Sequence, residues 1–434
     1  MIRRPLSETA ATRSGARARR PAPGRPSSLR PSPVRSLLAC AALLAATAGA
    51  APQVVENPAE PAHGLQVARL TELWRAGGED DDVIFGNVGG VTADAAGDIL
   101  VLDSQLSQVN VFGPDGTWLR AIGHEGDGPG EVRQPGGMFL TPDGTVCLLQ
   151  TFPGRIVKIT GDGLPAGEAA YKESPDSQSQ FGVVNSAYYD PAGMVLVGIR
   201  MAFDGGISKQ TYFLARCDAD GLQQQAFLEK EHVINYADFV LDEAAMDFVW
   251  SRYAADGHGL IAVAPERYTY RVDVYGADGA RKLSFGRAYE VPERTEEQKK
   301  IARQIIEGVG AYYPTPPREI TIEPREQVVT GLRFDPQGRI WVGTSRGVLD
   351  CPAGTWQVMD VFTPDGHFDR QVAIPGDYDP NHDSLTLLPD GRAVVVAGAL
   401  NAFLMQQGVT GGEEADTSEE IKPLELICYR LELD

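Results

Sequence analysis

One phrase recurs six times along the chain and limits its fold more than any other feature. A tight turn built on Asp, Gly or Pro leads straight into a run of β-branched and aliphatic residues. The turns are Asp94 to Gly97, Pro142-Asp143-Gly144, Pro191-Ala192-Gly193, Asp256-Gly257, Asp335 to Gly338, and Pro389-Asp390-Gly391. The first copy reads most fully, as four short strands: Val91 to Ala93, Ile99 to Leu102, Val109 to Phe112 and Trp118 to Ile122, with a second turn at Pro114-Asp115-Gly116. Turns of this chemistry join antiparallel neighbours, because Gly supplies the positive φ they need. A third-strand phrase also returns, at Arg155 to Ile159, Tyr212 to Arg216, Tyr270 to Tyr275, Trp356 to Phe362 and Leu426 to Leu431. Six four-stranded units that cannot bury both faces alone do so by radial stacking, so the repeat predicts an all-β, six-bladed propeller over residues 65–434.

The sixth unit runs out of sequence before its outer strand. A β-capable run, Leu65 to Trp74, stands before the first unit. It is expected to pair with Leu426 to Leu431 and close the ring, which removes an open sheet edge. Residues 1–50 are read as a signal peptide: Leu37 to Ala46 is a short apolar stretch after Arg35, and Ala48-Gly49-Ala50 offers a small-x-small cleavage site. Residues 51–64 are expected to be a flexible linker. This places the protein in the periplasm or outside the cell, as a monomer with no membrane span.

Charge narrows the partners. Residues 1–50 hold nine arginines and one glutamate, so removing them takes the net charge from −20 to −28. Such a surface repels nucleic acid. Cys147, Cys217, Cys351 and Cys428 remain beyond the leader, too few for a disulfide framework. Cys147, Cys217 and Cys428 lie in strand-like runs and are read as buried thiols at least as readily as disulfide partners.

The segment 86–160 resembles the NHL-repeat family and, more widely, bacterial six-bladed propeller proteins. The likeness is carried by Val91, Asp94, Gly97, Val101, Asp103, Val109, Val111, Phe112 and Gly116, and by Gly126 to Glu131 leading to Pro135. The family's usual Asn and Arg before the third strand are Leu106 and Gln108 here. The resemblance implies the fold; it implies no function that rests on those polar side chains.

In such a blade the first-to-second and third-to-fourth turns share one face. The second-to-third and interblade connections share the other. All the Asp/Gly turns fall on the first face, while the long connections (123–137, 164–182, 199–211, 223–251, 286–328, 343–356 and 398–424) fall on the second. Long loops carry function more often than short ones, so a site is expected on that face, around the channel. Thr295 to Gln298 reads as a capping box opening a helical insertion over about 295–308, and 241–251 has a helical pattern too. Glu125, Asp127 and Glu131, in a Gly-rich loop, are the candidate metal ligands. A divalent cation, calcium or zinc, is the one cofactor they would allow. The acidic run from Glu413 to Glu420 is read as a solvated tip. The six histidines lack metal-ligand spacing, and no nucleophile elbow, phosphate loop or dinucleotide fingerprint occurs. Two classes remain: a module that binds a protein, peptide or glycan on the long-loop face, or a metal-dependent lactonase-, hydrolase- or lyase-like enzyme with its site at the channel.

Overall fold

The computed structural model describes residues 52–79, 81–177, 181–406 and 423–433. The expected leader and the acidic run from Glu413 to Glu420 lie outside the described residues. Six antiparallel four-stranded sheets follow one another around a ring. The first blade is Val88–Ala93, Ile99–Asp103, Gln108–Phe112 and Trp118–Ile122. The second, third, fourth and fifth begin with the inner strands Pro135–Leu140, Phe181–Asp190, Tyr253–Ala255 and Val329–Phe334. The sixth is Ser384–Leu387, Arg392–Ala397, Glu425–Glu432 and, from the other end of the chain, Arg69–Gly77.

Second strands such as Ile99–Asp103, Val146–Gln150 and Ile340–Thr344 are buried at every residue. Each is covered on both faces by neighbouring blades, which is why the repeat reads as continuous apolar runs rather than alternation. The cores lie between blades. Leu100, Leu102 and Val111 of the first meet Val146, Leu148 and Ile159 of the second. Trp74, Val394 and Leu426 of the sixth meet Ile99, Val101 and Phe112 of the first, so the ring is closed by packing as well as by hydrogen bonds.

The expected closure is present: Leu426 pairs with Ala76 and Cys428 with Trp74 in an antiparallel register. Two details differ. The closing strand starts at Arg69, because Leu65–Val67 pairs in parallel with Phe368–Pro375 of the fifth blade. The segment read as a linker over 51–64 is also sheet for part of its length, since Gln53–Asn57 runs parallel to Arg281–Arg287 of the fourth blade. Its Val55 enters the core between the fourth and fifth blades. Asn57 donates to the Gly286 carbonyl at 3.1 Å and the Gly366 carbonyl at 2.9 Å, and accepts from the Phe368 amide at 2.8 Å. Outer strands leave an unpaired edge, and this strap covers two of them.

The helices are α1 (Glu243–Met246), α2 (Glu296–Gly310), α3 (Arg346–Leu349) and α4 (Ala399–Gln406). The capping box of α2 forms both of its bonds, between Thr295 and Gln298. The pattern over 241–251 gives only the single turn of α1, because Leu241 is drawn into a short strand, Val240–Asp242, paired with Glu319–Thr321. The stretch 199–211 is no loop. Strands Gly193–Asp204 and Ile207–Cys217 run on to a turn at Gly205-Gly206, making the third blade's central hairpin longer than its neighbours.

Candidate functional site: the long-loop face

The two faces differ in kind. On the plain face Asp carboxylates cap the turns: Asp94 accepts from the amides of Ala96 and Asp98, Asp256 from those of His258 and Leu260, and Asp335 from those of Gln337 and Arg339. A side-chain oxygen that satisfies amides two and four residues on needs no other partner, which keeps these turns short and uniform.

The other face is built up. The third blade's long hairpin rises beside the connection 236–252, where Ile234, Phe239 and Leu241 pack against Ile306 of α2. Helix α2 also touches α4, which belongs to the sixth blade. The third and sixth blades stand opposite in a ring of six. A helix of this length spans roughly 22 Å, and α2 bridges connections of the third and sixth blades on this face.

Under the start of α2 is a buried ionic lattice. Arg294, just before the helix, donates to Glu243 Oε2 at 2.7 Å and pairs with Glu326 at 3.0 Å. Arg267 donates to Glu243 Oε1 at 2.6 Å and Asp247 Oδ1 at 3.0 Å. Arg252, fully buried, donates to Asp247 Oδ2 and the Phe248 carbonyl, each at 2.8 Å. The Glu323 amide adds a further bond to Glu243 Oε2, at 2.8 Å. Burial alone would raise the Glu243 carboxyl, but Arg294, the Glu323 amide and Arg267 outweigh it and hold the group below its usual range. Burial pulls the Lys230 ammonium down, although it donates to the carbonyls of Ala244 and Asp247. Nothing in the spacing of these residues marks them in the sequence, since they come from three separate connections and a strand.

The candidate ligands Glu125, Asp127 and Glu131 share one loop, where each has a partner within the chain. Arg133 donates to Glu125 at 3.0 Å and to both oxygens of Asp127 at 2.9 and 2.8 Å. Glu131 accepts from the Gly128 amide at 2.8 Å and lies 3.0 Å from His124 Nε2. Arg133 is thus the partner that Glu125 and Asp127 share within the chain. Among the described residues no three His, Cys, Asp or Glu side chains are gathered as a ligand set. Asp103, one of the residues that carries the NHL resemblance, is buried and accepts from the amides of Gly86, Gln105 and Leu106 at 2.7 to 3.0 Å. Its role is to fasten two loops of this face to the first blade. Cys147, Cys217 and Cys428 are free and buried, and burial pushes the first two thiols up to about 12 and the third to about 11. They are inert packing residues.

Apolar side chains also stand exposed on the loops, helices and strand ends of this face: Ile84, Leu106, Val233, Tyr312, Leu349 and Met405. They come from six different connections and strand ends, a pattern without a sequence motif.

Two family models match parts of the chain. Residues 80–159 match one described as a 6-bladed beta-propeller (DUF5128), and residues 324–346 match the two component regulator propeller. No curated protein matches the chain in sequence. Solved structures with a similar fold include a member of the DUF4221 family from Bacteroides vulgatus, 9% identical, covering 85% of this chain and 99% of that one, with a TM-score of 0.46. A gluconolactonase from Xanthomonas campestris is 12% identical, with coverage of 85% and 90% and a TM-score of 0.37. The calcium-binding protein regucalcin from Agrobacterium tumefaciens is 10% identical, with coverage of 88% and 97% and a TM-score of 0.38. With six blades, six interblade cores and a propeller model matching its first blades, this chain is a six-bladed β-propeller protein.

Proposed function

We propose that the protein is an exported, monomeric binding module that recognises a protein, peptide or glycan through its long-loop face. The observation that carries this reading is the set of exposed apolar side chains on that face. Ile84 and Tyr312 are 74% and 72% exposed, and Val233 and Met405 are 57% and 56% exposed. Exposed apolar side chains presented on one built-up face support a contact surface, because binding would bury them. The sequence features of the leader support export, and no helix among the described residues is long and apolar enough to cross a membrane.

The test uses the chain from residue 51 on peptide and glycan arrays, beside the triple variant Ile84→Ser, Tyr312→Ser, Met405→Ser. Ligands of the native chain should lose at least tenfold in affinity with the variant. Equal binding by both would move recognition off this face, and no ligand in either array would count against the reading. Mass analysis of exported protein should give an N-terminus at Ala51.

A further inference from the structure

The plain face holds a cleft between the fifth and sixth blades, away from the surface proposed above. Its volume is about 190 Å³, and its walls include Arg333, Arg339, Trp341, Leu387 and Leu431. That is room for roughly six waters. Arg333 sits on the inner strand Val329–Phe334, directly across the ladder from Trp341, with its guanidinium carbon 5.8 Å from the indole centroid.

The charges of the cleft do not balance. Asp335 Oδ2 accepts from Arg339 at 2.6 Å and from the Trp341 indole at 2.9 Å, while its other oxygen caps the turn. Arg392, also on the wall, donates to Asp390 at 2.8 Å and to the Gly97 carbonyl at 2.6 Å. Both carboxylates and two guanidinium groups are thereby engaged. Arg333 makes one long bond, 3.4 Å to the Leu388 carbonyl, and among the described residues it forms no ion pair. Burial pushes this guanidinium down to about 10, against the opposing pull of Asp335 and Tyr188. A chain of net charge −20 therefore keeps one surplus positive charge, partly stripped of water, in a cleft with apolar walls.

We propose that the cleft seats a small monocarboxylic acid, its carboxylate forked on Arg333 and its tail against Trp341, Leu387 and Leu431. The fork of a guanidinium matches a carboxylate in shape and charge. A dianion such as sulfate would bring two charges to one free cation and has no tail for the leucines. The volume suits an acid of about two to four carbons.

Calorimetric titration of the chain from residue 51 with sodium propionate tests this, with sodium sulfate as the second probe. Propionate should bind saturably at one site, and sulfate at least tenfold more weakly. Arg333→Gln should lower propionate affinity at least tenfold. Leu387→Trp, which fills the cleft and keeps Arg333, should do the same and carries the test if Arg333→Gln does not fold. The proposal is overturned by no saturable propionate binding to the native chain, by sulfate binding the tighter, or by unchanged propionate affinity in a folded variant of either kind.

Discussion

Glu243 shows how much a single side chain can carry here. Its two oxygens bind two guanidinium groups and a backbone amide. Glu243→Ala leaves Arg267 with Asp247 and Arg294 with Glu326 as their remaining carboxylates, and the Glu323 amide without its acceptor. A loss of about 1–3 kcal/mol is expected, measured as a lower urea unfolding midpoint. His232 gives a pH prediction. Burial lowers its folded pKa below the ordinary 6.5, with nearby Lys230 acting in the same direction, and Tyr212 lies 2.8 Å from its Nδ1. The neutral ring is the one the fold accommodates. Its contribution is therefore present above about pH 6.5 and is lost as pH falls through the lower folded value. The native thermal midpoint should drop between pH 7 and 5 by more than that of His232→Gln, and equal slopes would remove His232 as the cause. Neither residue was legible in the sequence. A lone Glu and a lone His carry no spacing signal, and their partners are placed by the ring. Glu125, Asp127 and Glu131 were legible as a cluster, but their partners were not: Arg133 pairs with Glu125 and Asp127, and His124 with Glu131.

At the scale of elements, what local chemistry dictates was readable and what depends on an open edge was not. Helix α2 follows from its capping box, and Thr295→Ala should cost about 0.5–2 kcal/mol, measured as a lower thermal midpoint. The long hairpin of the third blade hid behind Gly205-Gly206, which read as loop while serving as a two-residue turn. The strap hid for a different reason. Gln53–Asn57 is short and followed by Pro58, and its partner strand lies far along the chain. Asn57→Ala removes three hydrogen bonds to buried or half-buried backbone and is expected to cost about 1–3 kcal/mol. Hydrogen exchange should then quicken at the amides of 53–57 before any change in the first three blades.

The molecule as a whole rests on six interblade cores, and the one between the sixth and first blades joins the two ends of the sequence. Gly116, in a turn of the first blade, has φ +85°, and a Cβ there would come within 2.5 Å of the Trp74 ring. Gly116→Ala should combine about 1–2 kcal/mol of backbone strain with about 1–3 kcal/mol of overpacking. It would act at the seam, so its effect should exceed that of Gly144→Ala, where the added atom meets nothing within 4 Å. Comparison of the two urea midpoints decides it. Closure of the sixth blade has a further consequence. Arg75 and Glu425, paired between its two outer strands, are 350 residues apart. The strand that finishes the last blade, Arg69–Gly77, has no partner until Glu425–Glu432 is present. A copy lacking either strand is an arc with bare apolar flanks and an unpaired edge. Incomplete chains are thus exposed to proteolysis along the very surfaces that the finished ring conceals.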